Sequence, residues 1–201
     1  MNLPNKITIT RIIISILIMI GLLIPWRSLG VIMPAYESFF GLQLAEPISL
    51  KYIVAGVLFI IAAVSDKIDG DIARKNNLVT DFGKMLDAIA DKILVNGVLI
   101  ILAYERMIPV VVPVVIVTRD IIVDTCKMIS GNKGKVVAAS WLGKMKTAFM
   151  MIGLSFTFIG NFPFCLIGFK FSELCLIIAT VLSVVSGCDY YFKTTKLFKT
   201  K

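Results

Sequence analysis

Four aspartates stand at helical spacings in the stretch SDKIDGDIARKNNLVTDFGKMLDAIADK, residues 65–92. Asp66 and Asp69 are three residues apart and Asp87 and Asp91 are four apart, so each pair shares one face of a helix. Two such pairs facing each other make a cage of carboxylates whose mutual repulsion calls for a cation, and hard oxygen donors favour Mg²⁺, Mn²⁺ or Ca²⁺. Gly70 follows the second aspartate and Gly83 lies four residues before Asp87. Each face therefore includes a position without a side chain, where a ligand or the opposing helix can approach the backbone. In an ordinary helix each glycine would cost about 1 kcal/mol relative to alanine. Arg74, four residues after Gly70, reaches the same face, and a guanidinium grips phosphate oxygens bidentately. Asp71, Lys75 and Asp81 fall off the shared faces and read as exposed charges; a wholly solvated face is the alternative for the entire stretch.

The elements that must position these residues are apolar. Hydrophobic residues make up 58% of the 201-residue chain and charged residues only 17%, with a mean hydropathy of +0.90. A soluble domain carries roughly 25% charged residues, so the composition is that of a membrane protein. Apolar runs cover about 7–26, 53–64, 93–103, 108–129, 148–168 and 174–191. The second and third are too short to span ~30 Å of hydrocarbon alone. They flank the acidic stretch, which extends both helices beyond the bilayer core and presents the aspartates at the membrane surface. Asn76 and Asn77 suit the turn between them, and Thr80 or Asp81 suits the N-cap of the following helix. The expectation is an all-α, polytopic bundle of six transmembrane helices forming one domain over residues 1–201.

Lysines and arginines set the orientation. With the N-terminus inside, the outer segments hold Arg27, Lys51, Arg106 and Lys170, while the inner segments hold most of the remaining cations. The positive-inside rule then puts both termini and the acidic stretch in the cytoplasm. The net charge of +8 is spread over short segments between apolar runs, which suits anionic lipid and phosphate-bearing substrates rather than nucleic acid. The outer stretch 27–50, with Trp26, Tyr36, Phe39 and Phe40, is expected to lie along the interface. The first apolar run ends without a small-residue cleavage site. Cys126, Cys165, Cys175 and Cys188 form no CxxC pair and the chain has no histidine, so the cysteines read as packing residues.

A second group of charges lies further along. Arg119 interrupts the fourth apolar run and is followed by Asp120 and Asp124; a charge there is costly enough to imply function. Lys135, Lys144 and Lys146 flank the start of the fifth run. Together these four cations would form a pocket suited to a phosphate monoester, although positive-inside anchoring accounts equally for each lysine taken alone.

At fixed spacing, Asp66, Asp69, Gly70, Ala73, Arg74, Gly83, Asp87 and Asp91 match DxxDGxxARx8GxxxDxxxD, and in this the chain resembles the CDP-alcohol phosphatidyltransferases. The resemblance implies a usually dimeric bundle of six transmembrane helices with a cytoplasm-facing polar cavity. It implies that Asp66, Asp69, Asp87 and Asp91 hold a pair of divalent metal ions, Mg²⁺ or Mn²⁺. The first three would do so with the diphosphate of CDP-diacylglycerol, and Asp91 would be general base toward the acceptor hydroxyl. Gly70, Ala73 and Gly83 would line the cytidine pocket and Arg74 would contact phosphate. An inline displacement of CMP needs no covalent intermediate, and the chain offers no obvious cluster of serine, cysteine or histidine to support one.

Three local patterns are similar to the branch of this family that uses sn-glycerol 3-phosphate. They are NLPNKITITR at the N-terminus, LDAIADK with Ala88 in place of the usual proline, and GKMKT at 143–147, with a weaker echo in SGCDYY. By this resemblance Asn5 and Thr8 would lie near the nucleotide; as capping and interface residues of the first helix they have an equal structural explanation. The same chemistry with serine or inositol phosphate stays open, since inositol phosphate would also require a cationic pocket. A divalent-metal transporter stays open too, but transporters hold intramembrane carboxylates near the midplane.

Overall fold

The computed structural model describes residues 3–39, 42–75, 81–132 and 140–199. Each of the six apolar runs contributes an α-helix: α1 (Leu3–Leu23), α2 (Leu50–Lys75), α3 (Asp81–Tyr104), α4 (Val111–Asn132), α5 (Trp141–Phe158) and α6 (Phe171–Lys199). As the short apolar runs require, α2 continues through the first acidic pair and α3 begins ahead of the second. Asp81 opens α3, whereas Asn76, Asn77 and Thr80 lie outside the described residues.

α1 packs on α2 and α3, α5 on α6, and α4 on α6, with α2–α5 and α3–α4 contacts closing the bundle. The apolar core is built from Ile18 and Leu22 of α1, Phe59 of α2, Leu94, Val98 and Leu102 of α3, Ile116 of α4, Leu154 and Phe158 of α5, and Leu176 of α6. Glycine lets α2 pack closely on α5 and α5 on α6. A Cβ at Gly56 would stand 2.6 Å from Phe158 Cβ, and one at Gly153 would stand 2.9 Å from Leu176 Cγ. Small residues at helix contacts are the usual solution where lipid removes the hydrophobic drive to associate. The outward faces are apolar as well: Leu17, Val57, Val114 and Val181 are all more than half exposed. Soluble proteins rarely expose such contiguous apolar surface. Among the described residues one helix, over 171–196, is long and apolar enough to cross a membrane by itself. The apolar parts of α1 and α2, over 7–23 and 50–65, are shorter.

Two features depart from the expectation. An all-α chain was expected, but the outer stretch contains an antiparallel hairpin, β1 (Ala35–Phe39) paired with β2 (Leu42–Ser49), in a register running from Ala35 opposite Ser49 to Phe39 opposite Leu42. Leu42, Leu44 and Ile48 alternate with other residues in β2, a period-2 pattern that a hunt for helical runs passes over. The fifth apolar run also breaks: α5 ends at Phe158, and a short 3₁₀-helix (Phe164–Ile167) precedes α6. Gly160 and Asn161 both have φ near +60°, which stops a right-handed helix. Asn161 then joins the two helices, its Nδ2 donating to Phe169 O at 2.5 Å and its Oδ1 accepting from Ser172 N at 2.9 Å.

Candidate active site

The up-and-down path brings alternate helix ends together. The N-terminal part of α2 (Leu50, Lys51, Val54) lies beside the C-terminal half of α1 (Leu17, Gly21), and Lys51 pairs with Glu105 just beyond α3 at 2.9 Å. α2 therefore runs antiparallel to both neighbours, and its C-terminal turns, bearing Asp66, Asp69, Gly70, Ala73 and Arg74, lie at the end of the bundle where α1 and α3 begin. The side chains of these five residues, like that of Asn5, lie outside the described set. Asp87 and Asp91 sit one turn apart on α3, both half-buried, and Gly83 is buried one turn before them. Thr8 of α1 is 2% exposed, and its hydroxyl donates to Asp87 Oδ1 at 2.7 Å. Arg11, one turn further along α1, is as deeply buried as Thr8.

Among the described residues no group of three or more acidic, cysteine or histidine side chains gathers, and the site offers two carboxylates, Asp87 and Asp91, that could hold a divalent cation. Carboxylates are acceptor-only groups with room for about four partners each. One hydrogen bond from Thr8 fixes Asp87 without exhausting it, and Asp91 repeats the same chemistry one turn away. The ligands available are oxygens, the preference of Mg²⁺ and Mn²⁺.

A cleft of about 270 Å³ opens beside Asp91 between α3, α4, α5 and α6. It is lined by Lys92, Arg119, Lys127, Lys144 and Lys146 against Asp91, Asp120 and Asp124, a formal excess of two positive charges. Three of the four cations singled out in the sequence thus meet the last aspartate; Lys135 lies outside the described residues. Lys146 is only 4% exposed and bonds both oxygens of Asp120, at 2.9 and 3.1 Å. Arg119 reaches the same carboxylate through Nη1 at 3.0 Å. Its Nε donates to Ser183 O at 3.3 Å and its Nη2 to Ser186 Oγ at 2.8 Å, both on α6. This approach depends on Gly187, where a Cβ would lie 2.9 Å from Arg119 Cγ. Lys92 pairs with Asp124.

Ser140 caps α5, its Oγ accepting from Gly143 N, and its own N–H donates to Tyr190 Oη at 3.1 Å. The Tyr190 ring lies beneath the cations, with Arg119 Cζ at 5.8 Å and Lys127 Nζ at 5.7 Å from its centroid. Asp120, Lys127, Ser186, Gly187 and Tyr190 were not among the site residues expected from sequence. For the last three the only signal was SGCDYY, whose meaning depends on α6 packing against a helix some 65 residues earlier in the chain, the separation of Arg119 from Ser183 and Ser186 being 64 and 67.

Comparison with known proteins converges on one group. A family model described as CDP-alcohol phosphatidyltransferase matches residues 1–185. The CDP-diacylglycerol–glycerol-3-phosphate 3-phosphatidyltransferase of Bacillus subtilis (strain 168) is 41% identical over 201 residues, covering 99% of this chain and 98% of that protein. Proteins of the same name from Mycoplasma genitalium and Rickettsia bellii are also similar. The first is 37% identical over 80% of this chain and 66% of its own length. The second is 32% identical over 98% of this chain and 97% of its own length.

Proposed function

The chain belongs to the CDP-alcohol phosphatidyltransferase family, and from that membership we propose that it transfers the phosphatidyl group of CDP-diacylglycerol to sn-glycerol 3-phosphate, giving phosphatidylglycerophosphate and CMP. The observation that carries the acceptor is the cleft beside Asp91. Its excess of two positive charges complements a phosphate monoester dianion, and it lies within reach of the residue assigned to the acceptor hydroxyl. Serine, a zwitterion, would leave that excess uncompensated. Similarity over nearly the full length of proteins named for the glycerol 3-phosphate reaction supports the same choice.

In the proposed mechanism Asp66, Asp69, Asp87 and Asp91 would hold a pair of Mg²⁺ or Mn²⁺ ions. When bound, these ions supply Lewis acidity at the diphosphate and charge neutralisation on departing CMP. Thr8 orients Asp87 through its hydrogen bond. Asn5, Gly70, Ala73, Arg74 and Gly83 flank the nucleotide end of the donor. Arg119, Lys144 and Lys146, with Lys135, hold the acceptor phosphate and present its glycerol hydroxyl to Asp91. Asp91 takes the hydroxyl proton as oxygen attacks the lipid-bearing phosphorus, the new P–O bond forms, and the bond from that phosphorus to the CMP oxygen breaks.

We further propose that all six helices cross the cell membrane with the site and both termini in the cytoplasm, and that the chain works as a homodimer. The shorter apolar stretches of the other helices are consistent with this, because the charged positions that interrupt α3 and α4 include those that line the cleft. The test is CMP release by purified protein in detergent with CDP-diacylglycerol, Mg²⁺ or Mn²⁺ and a panel of acceptors. Release with glycerol 3-phosphate alone is expected. Release with inositol phosphate or serine, and none with glycerol 3-phosphate, would overturn the acceptor assignment.

A further inference from the structure

The cations of the cleft are not alike. Among the described residues Lys144 is exposed and makes no ion pair, and Lys127 lies over the face of Tyr190 without an ion pair. Arg119 and Lys146, by contrast, are enclosed and share one oxygen of Asp120, whose side chain is itself only 16% exposed. With Ser183 and Ser186 taking Nε and Nη2, all three guanidinium nitrogens of Arg119 are tied to protein. Without Asp120 neither enclosed cation would keep the carboxylate it is bonded to, and their mutual repulsion would drive the Arg119 and Lys146 head groups apart.

We propose that Asp120 is a positioning residue for the acceptor: it holds Arg119 and Lys146 together as a fixed pair of charges, against which a phosphate monoester docks before its hydroxyl meets Asp91. The inference rests on the phosphatidyltransferase reading above, and it makes a claim that simple charge counting contradicts. Removing one negative charge raises the positive excess of the cleft and should tighten phosphate binding if Asp120 were only a neutralising counter-charge. If Asp120 holds the cradle in shape, removing it loosens binding, because the loss of preorganisation outweighs the gain in field.

The experiment uses the full-length protein in detergent, with initial rates of CMP release measured against glycerol 3-phosphate and, separately, against CDP-diacylglycerol. Asp120→Asn, which preserves shape, and Asp120→Ala should each raise the KM for glycerol 3-phosphate by about tenfold or more. The KM for the lipid donor and kcat at saturating acceptor should stay within about threefold, a split that general damage to the bundle would not produce. Asp120→Glu should recover most of the acceptor KM. Lys146→Met should raise that KM too, and combining it with Asp120→Asn should cost clearly less than the two changes added, since Asp120 then has only Arg119 left to hold. An unchanged or lower acceptor KM in Asp120→Asn overturns the proposal, as does an equal loss in kcat and both KM values or full additivity with Lys146→Met. If the wild-type protein instead uses inositol phosphate, the acceptor reading fails separately, and the positioning role stands or falls on the KM for that acceptor.

Discussion

The hydrogen bond between Thr8 and Asp87 gives the sharpest handle on the donor half of the site. Replacing Thr8 by valine keeps the volume and the β-branch of a side chain that is 2% exposed, and removes only the hydroxyl that donates to Asp87 Oδ1 at 2.7 Å. A hydrogen bond to a charged group is worth about 1.5–3 kcal/mol. Asp87 is half-buried, so water can partly replace the lost donor and the lower end of that range applies. At 1.4 kcal/mol per tenfold, the expected cost is about one order of magnitude. It should fall on the metal concentration giving half-maximal rate and on the KM for CDP-diacylglycerol, because Asp87 is assigned to both. The KM for glycerol 3-phosphate should not move, since the acceptor cleft does not include Thr8. Initial-rate CMP release with Mg²⁺ or Mn²⁺ titrated at fixed substrates measures the first effect, and a donor titration measures the second. Thr8→Ser retains the hydroxyl and should stay close to wild type. Wild-type metal dependence and donor KM in Thr8→Val would return Thr8 to helix packing.

Asp91→Asn should abolish turnover while CDP-diacylglycerol binding, measured by equilibrium dialysis of a radiolabelled donor, stays largely intact; turnover at the wild-type rate removes the base role. Removing divalent ions with EDTA should stop CMP release, and Mg²⁺ or Mn²⁺ should restore it, whereas full activity in EDTA would contradict the carboxylate cage. Gly187→Ala should displace Arg119, because the new Cβ would lie 2.9 Å from its Cγ, and should raise the acceptor KM several-fold with the donor KM unchanged. Gly153→Ala should instead lower stability by about 1–3 kcal/mol through the clash with Leu176, seen as a lower melting temperature with substrate KM values unaltered.

The sequence made visible what is local to one helix. The apolar runs marked all six helices, and the three- and four-residue spacings put Asp66 with Asp69 and Asp87 with Asp91 at helix ends the structure brings to one end of the bundle. Arg119 announced itself because a guanidinium inside an apolar run needs a reason. What stayed hidden depends on contacts between distant segments. Asp120 read as a mere neighbour of Arg119, and nothing before folding tells that its carboxylate meets Lys146 from α5 while Ser186 and Gly187 from α6 receive the guanidinium. Thr8 was ambiguous for the same reason, since its partner is 79 residues away. The hairpin at 35–49 was missed because its period-2 signal is short and sits among aromatics that equally suit an interfacial segment.

The fate of the acceptor oxygen distinguishes this transfer from any other route to CMP. Glycerol 3-phosphate carrying ¹⁸O in its primary hydroxyl is turned over with CDP-diacylglycerol, and both products are weighed by mass spectrometry. Phosphatidylglycerophosphate should retain the label and CMP should carry none, because the acceptor oxygen forms the new bond to the lipid-bearing phosphorus and the CMP oxygen leaves with its own. Label in CMP, or a lipid product without label, would contradict it.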